Sequence, residues 1–191
     1  MDWRFEDEWS LARTEWTKFY LQPRGGLGTK VPEVDKPETF TQSATYLDPT
    51  VYCLRYSTKP LPTDMEVIGP LALYLEASID IDDTNWVADL VDLDPEGNRQ
   101  WISSGHLKAG HRFLVPEKSK SYYLVQPAQD PVLVPPGEIV EYVIAMIPTS
   151  NFFKRGHRME LIKNQDDLLS RLGMWGVNMC AFMQTVTRTL R

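Results

Sequence analysis

The residues with the clearest potential for catalysis are serines near the middle of the chain. Ser103 and Ser104 precede Gly105 and His106, and a serine in such a setting could act as a hydrolase nucleophile. The nucleophile elbow of serine hydrolases requires Gly-x-Ser-x-Gly at a strand-to-helix turn. This stretch lacks the first glycine and no helical pattern follows it. We therefore interpret it as a loop at a strand end and assign no catalytic residue.

Three histidines, His106, His111 and His157, are candidate metal ligands or general bases. The first two are five residues apart, whereas the histidine pair of a helical zinc protease is four apart. No cysteine or carboxylate stands at ligand spacing beside them. We predict no metal site and no cofactor.

Three carboxylates, Asp80, Asp82 and Asp83, could bind calcium. Their spacing lacks the glycine and the final glutamate of an EF-hand loop. Acidic residues between two strands are usually solvated turn residues, and we predict that role here.

Four aromatic residues could form a platform that stacks on sugars: Trp86, Trp101, Tyr122 and Tyr123. Aromatic side chains in alternating strands are more often part of the core. A carbohydrate-binding module nevertheless stays open as the alternative function.

These residues lie in or near segments with a clear strand pattern. Apolar residues occupy every second position from Leu71 to Ile79, and a similar pattern runs from Trp86 to Leu93. A period of two is typical of strands with one buried face. The polar residues Asp82–Asn85 separate the two runs. We predict a hairpin of two long strands.

The rest of the chain adds further short strands, at 14–21, 51–57, 99–107, 138–147, 158–163 and 184–191. Residues 22–45 and 115–137 have the composition of loops, and Asp166–Trp175 has leucines at helical spacing. We predict one all-β domain over residues 1–191, a jelly-roll β-sandwich with long loops and at most one or two short helices.

Charge and composition exclude several classes of function. The net charge is −6 and the basic residues are scattered, which argues against a nucleic-acid partner. No apolar run approaches the roughly 20 residues of a membrane helix, and the N-terminus lacks the apolar region of a signal peptide. Cys53 and Cys180 alone do not form a disulfide framework. We expect a reducing, cytoplasmic location and no membrane partner.

The N-terminal region contains four large aromatic residues, Trp3, Phe5, Trp9 and Trp16. Side chains of this size favour burial. We predict that they form an interface, with residues 1–13 as an interdomain segment and 14–191 as the sandwich, and that a further segment precedes them in the natural protein.

Several stretches together resemble one protein family: Met65–Pro70, Ile79–Thr84, Asp92–Gly97, Ser104–Ala109, Pro135–Glu138 and Ile147–Met159. In this order and spacing they are similar to the C-terminal domain of X-Pro dipeptidyl-peptidase and cocaine-esterase-type (CocE/NonD) hydrolases. The resemblance runs from about Trp16 to the end of the chain.

This resemblance implies a galactose-binding-like jelly roll that follows an α/β-hydrolase domain in a longer serine hydrolase. The family's Ser-Asp-His triad belongs to the hydrolase domain, and no position here matches it. The implied partner is that hydrolase domain, on which this domain would pack to shape the substrate cleft. The implied substrates are acyl esters, amides or proline peptides, and we also expect a homo-oligomer.

One short motif of the family matches Gly156, His157 and Arg158, and we interpret it as structural. A glycine suits a tight turn before a strand, and the His and Arg side chains can bind loop carbonyls or acids. The family usually has a further apolar strand after Arg191, so a C-terminal truncation is also expected.

Overall fold

The computed structural model describes residues 5–8, 11–13, 15–33, 38–42, 53–120, 123–127, 130–165, 170–174 and 180–186. Almost all of the regular structure in these ranges is strand. The strands are β1 (Glu15–Gln22), β2 (Gly26–Gly28), β3 (Glu38–Gln42), β4 (Cys53–Ser57), β5 (Met65–Ile79), β6 (Asn85–Leu93), β7 (Arg99–Lys108), β8 (Val140–Phe153), β9 (Arg158–Gln165), β10 (Ser170–Met174) and β11 (Cys180–Val186). A 3-10 turn, Ala109–His111, follows β7.

The strands form one strongly curled sheet in the order β11-β1-β2-β4-β9-β6-β7-β8-β5-β10-β3. Strand β11 also pairs with β5, so the curled sheet closes on itself. Two pairs of neighbouring strands are joined by only one residue pair each: β2 and β4 by Gly26 with Ser57, and β7 and β8 by Gly105 with Met146. They are the corners at which the two curved halves meet. The prediction of an all-β sandwich is confirmed.

The predicted hairpin of two long strands is wrong in its pairing. Both strands exist, as β5 and β6, but β5 pairs with β8 while β6 pairs with β7 and β9. The connection between them, residues 80–84, crosses from one half of the sandwich to the other. It lacks the two-residue turn that usually closes a hairpin. Its Asp83 instead accepts a hydrogen bond from the backbone N–H of Gly110, in the turn that follows β7.

Two further predictions are corrected by long-range pairing. The expected loop at 22–45 contains β2 and β3. Within the expected helical stretch at 166–175, residues Ser170–Met174 form β10, between β3 and the end of β5. Leucine spacing in so short a segment cannot distinguish a helix from a strand, and the two neighbouring strands decide the conformation.

The core fills the space between the two halves. Its largest fully buried side chains include Trp86 and Tyr142, whose rings meet edge to face with centroids 5.0 Å apart. Such pairs add to the stabilisation that burial gives. Burial also raises the pKa of Tyr142 to about 12. Trp86 therefore cannot belong to a sugar-stacking platform.

One glycine is required where the two halves approach. A Cβ atom at Gly105 would lie 2.7 Å from the carbonyl oxygen of Ala145 and 2.8 Å from Met146 Cγ. We expect Gly105→Ala to destabilise the fold by about 1–3 kcal/mol, because the strands at this corner must separate. Gly28→Ala is the control, because its nearest atom, on Gln22, would be 3.9 Å away. Urea unfolding of both variants measures the difference, and equal losses would contradict the argument.

Candidate interface site

A shallow groove of about 220 Å³ crosses the surface where β1, β5, β8 and the loop at 123–124 come together. Two of the aromatic side chains that line it are partly exposed, Trp16 to 43% and Tyr123 to 64%. The lining contains no charged side chain: Trp16, Pro70, Leu71, Ala72, Tyr74, Tyr123, Leu124, Ala145, Met146 and Pro148. A surface of this kind favours an apolar partner.

A β-bulge shapes the middle of the groove. Gly69 faces Thr149 and Leu71 faces Met146, so Pro70 opposes two residues of β8. Proline has no N–H for a sheet ladder and is found at such irregularities, and Gly69 takes a positive φ of 111°. The bulge turns Ile147 outward, where it is 63% exposed. Ile147, between the lining residues Met146 and Pro148, is thus a further exposed apolar side chain close to the groove.

The loop side of the groove is fixed by hydrogen bonds. Val125 and Ser119 bind each other through backbone and hydroxyl groups, and the Val115 N–H donates to the Val125 carbonyl at 2.8 Å. The amide of Gln126 donates to the Val143 carbonyl on β8, also at 2.8 Å. These bonds hold Tyr123 and Leu124 over the outer face of β5 and β8.

The structure brings only part of the predicted interface together. Trp16 lines the groove, and Phe5 is 98% exposed. Trp3 and Trp9 lie outside the described residues. Sequence analysis identifies Tyr123 only as a possible sugar-stacking residue and misses its position beside Trp16. Only a knowledge of the loop's hydrogen bonds could have placed it there.

The two serines considered as nucleophiles lie inside β7, not in a loop. Ser103 Oγ donates to the Ile147 carbonyl at 2.6 Å, which ties β7 to β8 at their corner. Ser104 Oγ donates to Asp89 Oδ1 at 2.5 Å, on the neighbouring strand β6. Both hydroxyls therefore serve as links between strands.

The acidic connection between β5 and β6 also has a structural use. Asp83 accepts hydrogen bonds from the N–H groups of Thr84 and Gly110, and its other oxygen lies 3.3 Å from Lys108 Nζ. Asp82 uses its backbone carbonyl to accept from Val134. Among the described residues, no group of three or more His, Cys, Asp or Glu is arranged to hold a metal ion.

The Gly156-His157-Arg158 motif lies at the turn between β8 and β9. Gly156 has a φ of +85°, a conformation that favours glycine, and its N–H donates to the Leu61 carbonyl. The His157 carbonyl accepts in return from the Leu61 N–H, and His157 Nδ1 is 2.9 Å from Asp92 Oδ1. These contacts join the turn to two other parts of the chain, while Arg158 is exposed.

We predict that His157→Ala destabilises the fold by about 1–3 kcal/mol, because the nearly buried Asp92 carboxylate loses its partner. Arg158→Ala is the control, and its exposed position predicts a change within about 0.5 kcal/mol. Thermal and urea unfolding provide the measurement. Equal effects of the two substitutions would show that the contact with Asp92 is unimportant.

Comparison with known proteins gives the family. A model of the X-Pro dipeptidyl-peptidase C-terminal non-catalytic domain matches residues 1–162. Cocaine esterase of Rhodococcus sp. (strain MB1 Bresler) is 29% identical over an alignment that covers 83% of this chain and 31% of the esterase. Within the described residues, no helix is long and apolar enough to cross a membrane.

Solved structures share the fold. A CocE/NonD family hydrolase from Staphylococcus aureus superposes with a TM-score of 0.80 at 18% identity, covering 97% of this chain and 39% of that one. An aminopeptidase from a marine sediment Thaumarchaeota archaeon gives 0.77 at 17% identity, with 97% and 38% covered. The chain thus spans only about a third of the length of these proteins. With its family match over most of its length, it belongs to the X-Pro dipeptidyl-peptidase C-terminal non-catalytic domain family.

Proposed function

We propose that this chain is the non-catalytic part of a longer serine hydrolase and docks on its catalytic portion through the groove around Trp16. In that position it shapes the substrate cleft and supports contacts between subunits. The observation that carries the proposal is the wholly uncharged lining of the groove, with Trp16 and Tyr123 partly exposed at its surface. Aromatic anchors in apolar settings dominate the energetics of many interfaces.

The substrates we propose for the whole enzyme are acyl esters, amides or proline peptides. The family match and the names of the relatives, an esterase and an aminopeptidase, support this range. A cytoplasmic location is proposed because the two cysteines are too few for a disulfide framework. Of the aromatic residues considered for the carbohydrate-binding alternative, Trp86 is buried, Trp101 and Tyr123 are 59% and 64% exposed, and Tyr122 lies outside the described residues. Trp101 does not line the groove beside Tyr123, so the four do not form one platform.

The first test concerns activity. We expect the isolated chain to hydrolyse neither p-nitrophenyl esters nor X-Pro anilides, because Ser103 and Ser104 are engaged by Ile147 and Asp89. The assay uses purified protein, with Ser103→Ala and Ser104→Ala as controls. Turnover that persists through purification and disappears in either variant would overturn the non-catalytic assignment.

The second test concerns the groove. Without the catalytic portion its apolar surface is uncovered, and such surfaces tend to self-associate. We expect the isolated chain to form dimers or larger species as concentration rises, and Trp16→Ser to weaken this association. Light scattering over a concentration series measures it.

Trp101→Ser is the matched control, since Trp101 on β7 is also exposed, to 59%, and does not line the groove. A wild-type chain that stays monomeric at high concentration, or equal weakening by both tryptophan substitutions, would argue against the groove as the interface.

A further inference from the structure

A second apolar surface lies at the end of the sandwich where β5 ends and β7 ends. Its centre consists of Phe113, Val132 and Leu133, which are 52%, 49% and 55% exposed. We refer to these three residues and the carboxylates around them as the acid-rimmed patch. Exposed apolar side chains that lie together in this way are typical of a binding surface.

The patch is built on a buried arginine. Arg112 is only 8% exposed, and its Nη1 donates to the Val132 carbonyl at 2.6 Å and to the Ala109 carbonyl at 3.3 Å. Its Cζ lies 4.5 Å from the centroid of the Phe113 ring. One side chain thus fixes both Phe113 and Val132 relative to each other.

Backbone hydrogen bonds complete the framework. The Val132 N–H donates to the Gly110 carbonyl, and the Val134 N–H donates to the Asp82 carbonyl. Gly110 is in turn bound by Asp83. The patch is therefore organised before any partner arrives, which lowers the entropic cost of binding.

The charge around the patch is negative. Four exposed carboxylates belong to the segments that build it: Asp80, Asp82, Asp130 and Glu138. Glu138 is brought beside Asp80 because the Gly137 N–H donates to the Ile79 carbonyl. Lys108 is paired with Asp83, and the Arg112 guanidinium is buried and bound to carbonyl groups. The surface accordingly suits a partner that combines apolar and basic side chains.

The negative charge of the rim also distinguishes between the classes of partner that could bind the patch. Nucleic acids and anionic lipid surfaces would be repelled by the rim. A second copy of this chain would bring its own acidic rim to a symmetric contact here. The described segments 112–120, 123–127 and 130–139, all between β7 and β8 in the sequence, carry Phe113 and Val132 in this patch and Tyr123 in the groove.

We infer that the acid-rimmed patch receives a basic and apolar face of the catalytic portion of the enzyme. This inference rests on the proposed function and adds a second, electrostatic contact to the apolar one in the groove. Charged contacts at an interface rim weaken as salt rises, whereas apolar burial does not. The two surfaces should therefore respond differently to ionic strength.

Hydrogen–deuterium exchange of the full-length enzyme, compared with the present chain, tests the inference. We expect slower exchange at residues 110–113 and 130–134 and also at 123–124 and 145–148 in the full-length enzyme. Raising the salt concentration should accelerate exchange only in the first two segments. The double substitution Asp82→Lys and Glu138→Lys should accelerate exchange at 110–113 and 130–134 by roughly tenfold, because the new lysines would face the basic side chains of the partner.

Glu96→Lys is the control, with the same change of charge at an exposed turn between β6 and β7. Protection at the groove without protection at the patch, or equal effects of the two sets of lysine substitutions, would overturn the inference and leave the proposed function standing. Protection at neither surface would overturn the proposed function itself. Circular dichroism of each variant confirms that a change in exchange is not a loss of folding.

Discussion

The burial of β5 on both of its faces is the constraint on which the rest of the structure depends. All but three of its residues are buried, and it pairs with β8 along one edge and with β11 and β10 along the other. One face, including Leu73 and Leu75, enters the core. The other face, including Ala72 and Tyr74, forms the floor of the groove. A strand in this position cannot pair with its sequence neighbour β6 as well, so the chain must cross between the two halves.

Both candidate binding surfaces lie where the regular pairing of β5 is interrupted or ends. The bulge at Pro70 interrupts the ladder with β8 and gives the groove its shape. The end of β5 at Ile79 leads into the acidic connection, whose Asp82 and Asp83 hold the loops that carry the acid-rimmed patch. Irregularities in sheets commonly redirect side chains near functional sites. The regular part of β5 thus supplies stability, while its interruptions supply the surface features that a partner can contact.

The sequence predicts the strands well because their alternation is local, and it predicts their partners badly because pairing is not. The alternation from Leu71 to Ile79 and from Trp86 to Leu93 correctly located β5 and β6, yet nothing in it distinguishes a hairpin from a crossing between halves. Likewise, Ser170–Met174 is a strand only because β3 and β5 lie beside it. Trp16 could be named from its size and position. Tyr123 and the patch could not, because their exposure depends on hydrogen bonds made by Gln126 and Arg112 across the fold.

Contacts between residues that are distant in the sequence also explain why side chains that resemble catalytic groups have structural roles here. A nucleophilic serine needs a hydroxyl that substrate can reach and a base that takes its proton. Ser103 is buried and donates to the Ile147 carbonyl, which is not a base, and Ser104 donates to Asp89 between strands. His157 is held by Asp92 at a turn that also binds Leu61. Hydroxyl and imidazole groups that cross-link a sandwich in this way add rigidity to it. A rigid scaffold with an apolar groove and a preorganised acidic rim is suited to holding another domain in one orientation, and that orientation is what a neighbouring active site would require from it.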